Sequence, residues 1–516
     1  MNMSRNPRKG AVRWCFVGAL ITVGVIGCGG GGHGGGGGFA VSGALDPQNP
    51  LVGSQNPIDQ AALATLTSQL TTSARLSDDV EFIRRVTSDV AGRLPTTDEV
   101  QAFLADTSQD RRAKLIDRLL LSPDYFNHWA KDVLGPWIGV TQDRDIFDQA
   151  IALDLAQDVG IQQIVDSFVS GQVPSFDKSF DQVYMKVDTL MLAFTGMTSQ
   201  CARCHDHKLV TPADDPQWLQ DDNYGLYAFF AENPDDATKV DLSGTMFGKP
   251  VQPAFVIDGY ENAPPSLPAL DDPIQVRRAA FSQLFRNSNA FMRGTSHRIW
   301  SEISAPLLDP NQFLAANLQG MNAPSVLDAL TQTFRDQGSS LRGFLRQCLN
   351  SRLYQLSSDC AIVNSGLDGI ARHKVRRQHA EVIESAYAYL GGVDPQQNDF
   401  LRLNFGYPTT RTIITERSDD VNSAQAAILM NSDSVAGVIS QGPYLDTLAS
   451  SVDGGTMTLT DAVTAIFNRA LSRNPNADEL QMVVLEAQQC QQMRSTRDAL
   501  EDVSGALAAT IEFVAH

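Results

Sequence analysis

Two cysteines three residues apart, with a histidine directly behind them, form the grouping in this chain best suited to chemistry: Cys201-Ala202-Arg203-Cys204-His205. On a helical turn, side chains three and four positions apart share a face. The two sulfurs can then form thioethers to the vinyl groups of a haem, and His205 can bind its iron from the proximal side. One haem c, held by Cys201, Cys204 and His205, is the expected cofactor. Three other uses of these residues stay open. A redox disulfide pair needs a thioredoxin-like βαβ setting, whereas Val187 to Phe194 and Tyr224 to Phe230 predict helices. A structural zinc site needs a fourth ligand; His207 is near, but no second Cys/His pair stands at zinc spacing. A plain disulfide across so short a separation is strained.

The distal side of the iron has Met246 as its candidate ligand, in the loop Ser243-Gly244-Thr245-Met246-Phe247-Gly248. The competing role for Met246 is an apolar anchor. Met197 is expected on the proximal side or in the core, and His297, His373 and His379 reach the iron only if the second half folds over it. A five-coordinate haem, open to small molecules or peroxide, is the remaining arrangement. No G-x-S-x-G, H-E-x-x-H, P-loop or EF-hand loop occurs in the sequence. The neighbouring acids Asp271-Asp272 and Asp419-Asp420 are read as caps or solvated faces. The basic run Arg372, His373, Lys374, Arg376 and Arg377 is read as a charged helix face, with a docking patch for an anionic partner as its alternative.

Haem attachment of this kind takes place outside the cytoplasm, and the first residues carry the matching address. Arg5, Arg8, Lys9 and Arg13 flank a short apolar stretch from Trp14 to Ile26, too short for an ordinary membrane span. Val25-Ile26-Gly27-Cys28 resembles a lipobox, which makes 1–27 a lipoprotein signal peptide and Cys28 the acylated residue. An ordinary cleaved signal or an uncleaved anchor is the alternative. Gly29 to Gly38 is all glycine except His33, so 28–56 is expected to be a flexible tether. The expected location is the cell envelope, periplasmic or surface-facing, with the lipid as the membrane contact. A formal charge of −19, falling to −23 without the four basic residues before Cys28, disfavours nucleic acid as a partner. Of the remaining cysteines, Cys348 and Cys360 can pair, leaving Cys490 odd.

The elements that must position the motif are helical. At 516 residues the chain suits two or three domains. Ala61, Leu63, Leu66 and Leu70 start a helical pattern at Pro57, and Phe82, Ile83, Val86 and Val90 continue it until Arg93-Leu94-Pro95. Thr96 to Glu99 is a capping-box start for a helix carrying Val100, Phe103 and Leu104. Leu115, Leu119 and Leu120 form the next, closed by Ser122-Pro123, and Tyr125, Phe126, Trp129 and Val133 another. Near the other end Val463, Ile466, Phe467, Ala470 and Leu471 share a face, Arg473-Asn474-Pro475 breaks it, and Asn476 to Leu480 opens a helix much as Thr96 to Val100 does. Leu500, Val503, Leu507 and Ile511 predict a last packing helix. The fold expected is mainly α: a helical cytochrome-like domain at 57–235, a Pro/Gly-rich linker at 236–280, and a helical domain at 281–516.

Phe82-Ile83-Arg84-Arg85, Gly92-Arg93-Leu94-Pro95, Leu121-Ser122-Pro123-Asp124-Tyr125 and Gln200-Cys201-Ala202-Arg203-Cys204-His205-Asp206-His207 together resemble the planctomycete-type cytochrome c domain of otherwise unknown function. Ser351-Arg352-Leu353-Tyr354-Gln355-Leu356-Ser357-Ser358, Glu416-Arg417-Ser418, Gln425 to Ser432 and Ile511 to His516 are similar to its usual partner domain, the two being the paired domains of unknown function 1549 and 1553. The resemblance implies a haem-c protein of the envelope, with haem roles on Cys201, Cys204 and His205 only. Lys208 stands where the family commonly has proline, and the single motif argues against a multi-haem wire. Electron transfer with a redox protein partner is the function expected. An envelope binding or scaffold protein for polysaccharide or protein, or a haem-dependent oxidase or peroxidase, is the alternative.

Overall fold

Start signals and apolar spacing coincide along most of the chain, and the computed structural model is accordingly built of helices. It describes residues 48–180, 182–197, 203, 220–232, 251–257, 267–307, 324–358, 367, 369–407 and 423–515. Among these, no strand forms; two isolated bridges, Leu76 with Leu356 and Arg377 with Ala515, are the extended pairings. The helices that matter below are α1 (Pro57–Ser68), α2 (Asp79–Ala91), α3 (Thr97–Ala105), α4 (Arg111–Leu119), α5 (Pro123–His128), α6 (Ile161–Val169), α7 (Val183–Thr195), α8 (Gln220–Ala228), α9 (Ile274–Asn287), α10 (Asn289–Ile303), α11 (Pro324–Asp336), α12 (Ala380–Gly391), α13 (Leu459–Leu471), α14 (Ala477–Met493), α15 (Thr496–Ala508) and α16 (Ile511–Val514). A π-helical stretch, Trp129–Leu134, follows α5 directly.

Two apolar cores result. The first runs from Leu51 to Ile370, and the second takes Leu94 together with residues from Ala380 to Phe513. The division therefore falls at the short segment 371–379 and not in the Pro/Gly-rich run at 236–280. Prolines and glycines in that run stop helices, but a loop can return the chain to the core it left. Here α9 begins within the expected linker and packs against α6, while α10 packs against α7 and α11. Aromatic rings carry the junction: Phe194 of α7 stacks on Phe291 of α10 at 5.5 Å and on Phe168 of α6 at 6.3 Å, and Phe281 of α9 meets Phe230 at 4.9 Å. Pairs of this geometry add roughly 0.5–1.5 kcal/mol each to the burial of their area.

The chain builds one corner twice. Asp78 caps α2 and Thr458 caps α13, each accepting a backbone amide three residues on, and each helix runs 13 residues to a left-handed residue, Gly92 (φ 65°) or Ser472 (φ 60°). Phe82, Ile83, Val86 and Val90 in α2, and Ala462, Val463, Ile466 and Ala470 in α13, are buried at matching positions. An arginine follows each turn. Arg93 grips both oxygens of Glu99 at 2.8 and 3.0 Å and reaches Asp124 at 2.7 Å. Arg473 grips both oxygens of Glu479 at 2.8 and 2.9 Å and reaches Glu512 at 2.7 Å. Each glutamate also completes a capping box, with Thr96 or with Asn476. Asp124 and Glu512 each stand two residues after a hydroxyl N-cap, Ser122 for α5 and Thr510 for α16. A fork of five donors suits this double grip in a way that a lysine does not. The shared pattern in the sequence is thus a repeated structural unit.

Three local expectations need correction. Leu70 lies past the end of α1 at φ 52° and is exposed. Leu104, placed on the α3 packing face, is also exposed. Ile511 belongs to α16, not to the preceding helix, and is 72% exposed while Leu500, Val503 and Leu507 are buried.

Candidate functional site

Cys28, Cys201, Cys204, His205 and Met246 lie outside the described residues, but Arg203 within the motif and the helices on either side of it are described. The helix before the motif, α7, is buried over most of its length. Its end is held by α10, where Thr295 donates its hydroxyl to the Phe194 carbonyl at 3.1 Å and Arg298 donates to the Ala193 carbonyl at 2.8 Å. These are the last-turn carbonyls that a helix leaves without partners of its own. Gly294 permits the approach: a Cβ there would stand 2.4 Å from the Phe194 carbonyl oxygen.

Arg203 is fastened to both flanking helices. Its guanidinium lies 4.5 Å above the ring of Tyr184 and 3.7 Å from the carboxylate of Asp188, one turn further along α7. Its carbonyl accepts from the Gln220 amide at 2.7 Å and the Tyr224 hydroxyl at 3.2 Å, both on α8. Behind Asp188 the Tyr227 hydroxyl donates to the carboxylate at 3.1 Å and itself accepts from Asn223 at 2.9 Å. Burial, and then the Asp188 charge, push the Tyr227 phenol far above its ordinary range, so it stays a donor. Asn223 Oδ1 and Thr189 Oγ1, on fully buried residues, have no hydrogen-bond partner among the described residues.

Sequence reasoning missed a second polar centre, in the seam between the two cores. The basic run 372–377 is not a helix face. It is an extended strap in which Lys374 is exposed while His373, Arg376 and Arg377 are buried. Arg376 pairs with Asp89 of α2 at 2.6 Å, and Asp89 also accepts the Tyr354 hydroxyl at 2.7 Å. Arg377 donates to the Phe405 carbonyl at 3.1 Å and lies over its ring. His379 stands 4.0 Å from Glu302 and 3.8 Å from Glu381, and His128 stands 3.5 Å from Asp132. Asp89, His128, Trp129, Glu302, Arg376 and His379 line a small pocket. It is narrow, with room for about one water-sized body. Its charges face one another and hold the seam closed. A charged run beside a helix start, rich in arginine, was the signal available, but only folding shows that it points inward.

The remaining candidates fall into packing. His297 is buried and accepts from the Leu307 amide at Nε2; burial, helped by Arg293, pushes it down to about 3, so it stays neutral. His373 packs edge-on against Tyr354. Met197 lies against the first core, half-buried. Cys348 is a buried thiol, its considered partner Cys360 lies outside the described residues, and Cys490 donates to Asp502 at 3.3 Å. Asp272 caps its loop by accepting from the Ala269 amide. Among the described residues no cluster of His, Cys, Asp and Glu is arranged to hold a metal ion, and no helix is long and apolar enough to cross a membrane.

Residues 57–153 and 143–235 match the model of the PSCyt2 family, described as a protein of unknown function (DUF1549). Together the two matches take in about a third of the chain, from the first residue of α1 to just beyond α8. A search of the curated proteins found no match, and neither did one of the solved structures.

Proposed function

We propose that the chain is an envelope lipoprotein carrying one covalent haem c on Cys201, Cys204 and His205, and that it transfers electrons to or from a protein partner. The observation that carries this is the C-x-x-C-H motif itself, mounted at Arg203 between two helices. A helical turn sets positions 201, 204 and 205 on one side and 203 on the other. An inward anchor at Arg203 is therefore compatible with an outward face offering two thiols and an imidazole, the donor set a haem c requires. When bound, the haem supplies the one-electron chemistry. The chain supplies the rest: Arg203 and its partners fix the turn, α10 fixes the end of α7, and the aromatic packing keeps both rigid. Met246 is the distal ligand in this proposal, and Cys28 the lipid-bearing residue. The resemblance of the second half to the partner domain supports this reading of both halves as parts of one envelope protein.

The test is a pyridine haemochrome spectrum, with haem staining after a denaturing gel, on protein coexpressed with a c-type maturation system. The native chain should show a c-type α-band and covalent stain, and Cys201→Ala/Cys204→Ala should lose both. Loss of the distal ligand in Met246→Ala should move the reduction potential down and let carbon monoxide bind. Absence of covalent haem, where a control cytochrome matures, sinks the proposal and leaves a binding or scaffold protein. Ligand-binding spectral shifts in the native protein would instead mark an open iron and an oxidase or peroxidase.

A further inference from the structure

The geometry points to Asp188 as the positioning residue of the C-x-x-C-H turn, acting through Arg203, and this inference rests on the haem proposal above. Asp188 sits mid-way along α7 with its side chain 3% exposed. A carboxylate and a guanidinium brought this far out of water cost several kcal/mol in desolvation, which their attraction only partly repays. Apolar residues would pack more cheaply, but a pair of this kind can fix a geometry that apolar packing leaves loose. The geometry here converges on one residue: Tyr184 and Asp188 from α7 hold the Arg203 side chain, while Gln220 and Tyr224 from α8 hold its carbonyl. That residue directly precedes the second cysteine of the motif. Tyr227 and Asn223 in turn orient the Asp188 carboxylate, making a relay that runs from α8 through α7 to the motif.

A fixed negative charge behind a redox centre stabilises its oxidised form, which is the more positive one. Asp188 therefore also lowers the potential of the haem. Removing its charge should shift the potential upward. Tyr227→Phe, which removes a donor and leaves the charge, should shift it the other way.

Two measurements on the full chain test this. The first, on protein made without a maturation system, is the rate of thermolysin cleavage within 198–219, in a cycle of Asp188→Asn, Arg203→Gln and the double variant. Each single change should speed cleavage about tenfold, as loss of roughly 1.4 kcal/mol of local protection implies, and the double variant should be no faster than either. Unchanged rates, or effects that multiply in the double variant, overturn the dock. Arg203 is partly exposed, so its variant keeps the test open if Asp188→Asn does not fold. The second is the haem potential of Asp188→Asn in matured protein. An upward shift at unchanged haem content supports the potential-setting role, and an unmoved potential overturns it. A native chain that takes no haem overturns the haem proposal and the potential-setting role, while the cleavage cycle still decides the dock.

Discussion

Arg93 and Arg473 show what a single guanidinium does in this protein. Each closes a turn that the backbone alone would leave to a left-handed residue and one capping box. Burial by itself would raise the Glu99 carboxyl. Its bonds from Arg93 and the Thr96 amide, with the Arg93 charge, outweigh that and hold it down at about 2, against an ordinary value of 4.5. A carboxylate depressed in the folded state contributes stability that is complete above its unfolded value and lost as pH falls through the folded one. That contribution should therefore fade between about pH 4.5 and 2. Arg93→Ala is expected to cost about 1–2 kcal/mol at pH 7, the range for charge-assisted bonds discounted for partial exposure. The cost should shrink at pH 3, where Glu99 in the variant, no longer held down by Arg93, takes up a proton that relieves part of the loss. Urea melts of both proteins at the two pH values check it, and an equal cost at both would contradict the assignment.

Among the helices, α10 crosses the end of α7 at close range. Gly294→Ala removes a residue with poor helix propensity, a gain of about 1 kcal/mol in an open helix. Here the new methyl would lie 2.4 Å from the Phe194 carbonyl oxygen and 2.5 Å from Thr195 Cα, both backbone atoms of α7. The steric cost of overpacking, about 1–3 kcal/mol or more, outweighs the gain because backbone cannot rotate aside. Thermal unfolding should show a net loss of about 2 kcal/mol. Hydrogen exchange should show faster exchange at the last amides of α7. A stabilised variant would mean that the crossing yields more easily than its geometry indicates.

Across the whole molecule, two cores share a seam, and Arg84 crosses it most directly. Buried in α2, it donates to the Ala470 carbonyl at 2.8 Å, the Ser472 hydroxyl at 3.2 Å and the Glu512 carbonyl at 3.0 Å. The first copy of the repeated corner thus holds the turn of the second. Burial pulls the Arg84 guanidinium down to about 10, with Glu512 opposing and Arg473 adding to the fall, so it stays charged at neutral pH. Leu94 packs in the second core, and the Thr97 amide donates to the Tyr389 hydroxyl at 2.9 Å, so the first corner returns the contact. Arg84→Met leaves three acceptors unmet and should cost about 3–5 kcal/mol. Calorimetry should show the wild-type transition splitting in two, the second core melting first. A single transition at an unchanged temperature would show that the seam does not couple the cores.

Residue order alone determined the helical class, the capping boxes at Thr96 and Asn476 and the buried faces of α2 and α13, and it supplies the C-x-x-C-H motif from which the proposed function is argued. These are local properties, set by 3.6-residue spacing and by hydrogen bonds within one turn. The tertiary structure decided what depends on distant partners. A Pro/Gly-rich run ends helices wherever it occurs, but whether the chain then starts a new core depends on the surface awaiting it, and Phe194 and Phe168 were already there for α9 and α10. The run at 372–377 is charged in any context; it became a buried strap because Asp89 of α2, far off in sequence, supplied the opposite charge. The arginine in the motif has no partner legible in its neighbourhood, and only the packing of α7 beside α8 brings Asp188, Tyr184 and Tyr224 to it.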